Sequence, residues 1–71
     1  MRYLVVLEKG VESYGAYVPD LPGCVAVGET QEEALSLIRE AIALHLEDLR
    51  GRGERIPPPS STAQLVEVAA A

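Results

Sequence analysis

Seventy-one residues with a formal net charge of −5 bound a single small domain, 1–71, and the acidic balance argues against direct nucleic-acid binding, which needs Lys and Arg to neutralise phosphates. Cys24 is the only cysteine, so an intrachain disulfide is excluded, and Cys24 with His45 falls short of the four ligands of a structural zinc site. A chain this short sits near the margin of independent stability, which points to self-association or a partner protein as the source of the remainder.

Met1-Arg2-Tyr3 leads directly into Leu4-Val5-Val6-Leu7, an apolar run much shorter than a signal-peptide core. No run reaches the ~20 apolar residues of a membrane span. The expectation is a cytoplasmic protein with no membrane partner. Residues 2–8 read as a strand with Tyr3, Val5 and Leu7 on one face and Leu4 and Val6 on the other. A strand apolar on both faces is expected at the centre of its sheet. Residues 9–13 form a polar hairpin loop, and residues 14–18 a second strand in which Gly15 suggests a bulge or a close backbone approach.

Pro19-Asp20-Leu21-Pro22-Gly23 is a turn. Pro22 and Gly23 suit the central positions of a type II turn, with glycine taking the positive φ, and Asp20 can bond its own downstream amides. Residues 24–27 make a short third strand closed by Gly28. Thr30-Gln31-Glu32-Glu33 is a capping box: Thr30 caps the third amide of the helix, and Glu33 reaches back to the Thr30 amide.

The helix spans about 30–50, with Gly51 as its left-handed stop. Its apolar stripe is Ala34, Leu35, Ile38, Ala41, Ile42, His45, Leu46 and Leu49. Residues 51–62, stiffened by Pro57-Pro58-Pro59, return the chain along the helix. Residues 64–69 form a last strand with Leu65 and Glu67 on one face and Val66 and Val68 on the other. The resulting order is βββαβ, an α+β two-layer domain with one helix on a four-stranded sheet.

Two stretches, Val18-Pro19-Asp20-Leu21-Pro22-Gly23-Cys24 and Gly28-Glu29-Thr30-Gln31-Glu32-Glu33-Ala34-Leu35, resemble the HicB family of bacterial antitoxins. The resemblance covers nearly the whole chain, and residues 17–35 are its specific part. It marks Pro19, Asp20, Leu21, Pro22, Gly23, Cys24, Gly28, Thr30 and Glu33 as motif positions of turn and helix cap. It implies a partial ribonuclease-H-like fold in which the fourth strand pairs beside the first. It also implies a partner, HicA, a small basic ribonuclease that HicB covers and silences. Many HicB proteins carry a C-terminal DNA-binding domain. The 71 residues here have no room for one, so no operator binding is expected of them.

Ribonuclease H chemistry needs carboxylates holding Mg²⁺, one of them inside the first strand. The first strand here has none before Glu8, and the last offers only Glu67. No catalytic residues, metal or cofactor are therefore assigned, and the chain is not expected to be an enzyme. Cys24 paired with His45 as nucleophile and base is set against the simpler reading of a packed strand cysteine and a packed helix histidine.

Tyr14, Tyr17, Glu29 and Glu32 are the candidate partner-binding residues. The tyrosines fall on opposite strand faces, so one points away from the helix. The glutamates complement the helix dipole and also offer a basic partner an acidic patch. One helix cannot cover both faces of the sheet, so apolar area is expected to be left for an interaction. The expected role is neutralisation of a HicA-like ribonuclease. The alternative is a solitary homologue that self-associates as a structural or regulatory module without a toxin. In either case a homodimer or larger is expected.

Overall fold

The computed structural model describes residues 1–70. Three strands and one helix follow in order: β1 (Val6–Lys9), β2 (Tyr14–Tyr17), β3 (Val25–Gly28) and α1 (Gln31–Gly51). The strands form an antiparallel sheet in the order β1-β2-β3, with Val6 opposite Tyr17 and Tyr17 opposite Val25. The first strand is therefore an edge strand, contrary to its expected central place. Its two apolar faces reflect a core on one side and the outer sheet face on the other. Gly15 makes no bulge: the ladder runs unbroken through Glu8, Gly15 and Val27, and among the described residues nothing beyond its chain neighbours comes within 4 Å of the site of its missing Cβ.

The core lies between the sheet and α1. Ala16, Val18, Leu21, Cys24, Ala34 and Ile38 are its buried members, and Tyr3, Val5, Leu7, Tyr14, Ile42 and Leu46 pack against them. The small residues Ala16, Ala26 and Ala34 let the helix settle over β2 and β3, and it touches β1 least. The closest approach is at Gly28, where an added Cβ would stand 2.6 Å from the Ala34 backbone nitrogen. Glycine at this position is what lets the helix start against the end of β3.

Both helix ends are closed, the first by the expected Thr30 cap and the second two residues beyond the expected stop. Thr30 Oγ1 accepts from the Glu33 amide at 3.0 Å. The Glu33 carboxylate accepts from the amide of Glu29, not that of Thr30. At the other end Gly51 is still helical, and Gly53 takes the left-handed conformation with φ 68°. The amide of Glu54 donates to the Leu49 carbonyl and that of Gly53 to the Arg50 carbonyl, which is a Schellman arrangement.

Residues 64–69 do not join the sheet. They carry no ladder and are exposed throughout, so the expected four-stranded sheet is not formed among the described residues. The physical reason is the path of the preceding segment. The Tyr3 hydroxyl donates to the Pro57 carbonyl. The Asp20 carboxylate then accepts from the amides of Ser60 and Ser61 at 2.8 and 2.9 Å, and from both their hydroxyls. The segment thus crosses the end of the sheet from β1 toward the β2–β3 turn, instead of returning along the helix to the open side of β1.

Candidate functional site

Cross-strand partners share a face. Tyr17 lies between Val6 and Val25, and Gly15 between Glu8 and Val27. Alternation adds Leu4 to this set. The outer sheet face is therefore Leu4, Val6, Tyr17, Val25 and Val27, with Glu8 at one corner and open space over Gly15. Among the described residues none covers it: Val25 and Val27 are each 64% exposed and Tyr17 is 38% exposed. These are β-branched and aromatic residues that favour a pleated surface. An apolar patch of this kind on a small acidic domain marks an interaction surface.

The candidate partner-binding residues do not form one cluster. Tyr17 stands on the outer face, whereas Tyr14 packs against the core on the helix side. Glu29 and Glu32 are exposed at the start of α1, where their charge opposes the positive end of the helix dipole.

The motif residues divide between the two ends of β3, about 13 Å apart at ~3.3 Å per residue. At one end the Cys24 amide donates to the Leu21 carbonyl at 3.1 Å, and Gly23 has φ 83°. This is the expected type II turn. It drives Leu21 fully into the core with Val18 and Cys24 beside it, while Pro19, Pro22 and Gly23 stay exposed. At the other end Gly28, Thr30 and Glu33 seat and cap the helix.

Asp20 acts differently from its expected local turn role. Its hydrogen bonds go to Ser60 and Ser61, forty residues away. Those donors, led by the Ser61 amide, hold its carboxyl down to about 2 from the ordinary 3.8. The sequence signal was faint: two serines after three prolines offer a cluster of amide and hydroxyl donors, but local pattern cannot name the acceptor.

Burial pushes the Cys24 thiol up, which works against a nucleophilic thiolate. His45 is half-buried in the helix stripe. Among the described residues no group of His, Cys, Asp or Glu has the geometry to hold a metal ion. Among them, too, no helix is long and apolar enough to cross a membrane.

Comparison with known proteins decides the family. Residues 3–70 match the model of the HicB-like antitoxin of bacterial toxin–antitoxin systems. The chain belongs to the HicB-like antitoxin family. A UPF0150 protein of Thermoplasma acidophilum is 43% identical over 58 residues, covering 80% of this chain and 84% of that protein. Antitoxin HicB 1 of Photorhabdus laumondii is 39% identical over 66 residues, covering 90% of this chain but 42% of that antitoxin. This HicB-like chain thus spans less than half the length of that relative. Among solved structures, a chain of a HicA3 and HicB3 toxin–antitoxin complex matches with TM-score 0.71 and 35% identity, covering 83% of this chain and 70% of that one.

Proposed function

We propose that this chain is an antitoxin domain that binds a small basic ribonuclease of the HicA type and blocks it by steric cover, acting without catalysis or cofactor inside the cell. The observation that carries the reading is the outer sheet face, on which Tyr17, Val25 and Val27 stand exposed beside the half-buried Leu4 and Val6. Tyr17 is its natural anchor, because a large rigid aromatic among aliphatic neighbours is the side chain most often found at the energetic centre of an interface. The net charge of −5 supports a basic partner, since opposite charge speeds encounter. The similarity to a chain of a toxin–antitoxin complex supports the same partner class. The sheet and helix are read as part of a ribonuclease-H-like arrangement that lacks its fourth strand.

The test is co-expression with a HicA-type toxin in bacteria, with growth as the readout, followed by RNA cleavage with purified components. The wild-type chain restores growth and protects RNA. A chain carrying Val25→Asp and Val27→Asp remains folded and fails to do so. Protection that survives both substitutions rules out this face as the toxin-binding surface, and absence of protection by the wild type rules out the antitoxin role.

A further inference from the structure

The segment after Ser61 poses a physical problem. Leu65 is 102% exposed, Val66 76% and Val68 78%. Three large aliphatic side chains stand in water, and the backbone that carries them has no ladder partner. An extended segment with an alternating apolar face and free amides is a strand without a sheet.

The same molecule holds a sheet without a strand. Beside β1, away from β2, the edge is open. Because α1 lies mainly over β2 and β3, a cavity of about 310 Å³ remains between α1 and the residues that lead into β1. Tyr3, Val5, Leu35, Ile38, Arg39 and Ile42 are among the residues that line it. That is about twice the ~150 Å³ that accommodates benzene in an apolar protein cavity. It suits two valine side chains on one strand face. The other open edge, at β3, has no such space, because α1 closes on it at Gly28.

From these two halves we infer that residues 64–69 of one copy pair with the β1 edge of a second copy, so that two chains exchange their last strands. Val66 and Val68 enter the cavity of the neighbour, between its Val5 and Ile42. Leu65 and Glu67 lie on the opposite strand face, with Leu65 extending the apolar surface of Leu4 and Val6.

The exchange is between copies and not within one, because of Asp20. Its carboxylate fixes Ser60 and Ser61 at the β2–β3 turn, after the chain has passed Tyr3. Each chain's own segment is thereby led past its own open edge. Nine residues beyond Ser61 are described, and at ~3.3 Å each they reach about 30 Å, enough to lie along a neighbouring sheet.

A two-fold exchange satisfies both segments and both edges at once and closes the assembly. It removes two valine side chains per copy and both cavities from water, on the scale of the ~1,000 Å² that a specific interface needs. The inference needs no toxin and leaves the outer sheet face free.

Light scattering of the full chain across a dilution series gives twice the 7.6 kDa chain mass. Val66→Asp with Val68→Asp halves that mass while the helical circular dichroism is retained. Val25→Asp with Val27→Asp, on the outer face, leaves it unchanged. A second measurement uses only the wild type, mixing isotope-labelled with unlabelled chains. Nuclear Overhauser contacts then connect the Val66 and Val68 methyls of one copy to Val5 and Ile42 of the other. A monomeric wild type, a dimer that survives the Val66 and Val68 substitutions, or contacts confined within one copy overturns the exchange.

Discussion

At the scale of single residues, three positions have a physical role that a substitution would expose. Gly28 has no room for a side chain, since a Cβ would meet the Ala34 nitrogen at 2.6 Å. Backbone must move to admit it, so Gly28→Ala is expected to cost ~1–3 kcal/mol, the usual range for overpacking, seen as a lower urea midpoint. Thr30→Ala removes the cap on the Glu33 amide and is expected to cost ~0.5–2 kcal/mol by the same measurement.

Asp20 gives a pH dependence with a definite sign. Its folded value, about 2, lies below the ordinary 3.8 because serine amides and hydroxyls bind the carboxylate form. Its contribution to stability is complete above 3.8 and is lost as pH falls through about 2. The Ser60 and Ser61 amide resonances should follow that titration. In Asp20→Asn they should be insensitive to pH over the same window, and a titration that persists there assigns the effect to another group.

At the scale of elements, most of the helix was legible and the last strand was not. The Thr30 cap, the apolar stripe through Ile38 and the type II turn at Pro22-Gly23 depend on neighbours within about four residues, and sequence pattern reads that range well. Ile38 is 1% exposed, so Ile38→Ala is expected to cost ~2–5 kcal/mol in equilibrium unfolding. The reciprocal bond of the capping box falls one residue early because adjacent amides compete for one side chain, and the Glu33 carboxylate takes that of Glu29. The stop moved from Gly51 to Gly53 because both glycines permit the left-handed conformation, and the Leu49 carbonyl finds its donor only with the later one.

The last strand failed as a prediction for a different reason. Its alternating apolar pattern reports that residues 64–69 want a sheet, but not which sheet. The Asp20–Ser60/Ser61 hydrogen bonds, invisible to local pattern, send the segment elsewhere. The same omission misplaced β1 at the centre of the sheet. The candidate site was legible to a similar depth. That one sheet face would be left uncovered followed from having a single helix, but which tyrosine faced outward required the register, which puts Tyr17 between Val6 and Val25.

At the scale of the whole molecule, two surfaces ask for different occupants. The outer face is apolar on an acidic body, so its association with a basic partner should slow as salt is raised, because screening shortens the reach of the charges. The open β1 edge and the projecting residues 64–69 concern copies of the same chain. If strand exchange supplies stability, the thermal midpoint should rise with protein concentration, since mass action favours the assembled form. A midpoint constant across a dilution series would assign the stability to the isolated chain.

The exposure of residues 64–69 has a further consequence, for lifetime. Proteases take their substrates as extended strands, and unpaired surface segments are cut before folded elements. An isolated copy therefore presents a ready cleavage site at Gln64–Ala69, whereas a paired copy hides it within a ladder. Limited digestion with a protease that cuts after aliphatic residues should nick near Leu65 first, and more slowly as concentration increases. The abundance of the chain would then be self-reinforcing: each copy shelters another from degradation, and a population diluted below its pairing threshold would be cleared faster than one above it.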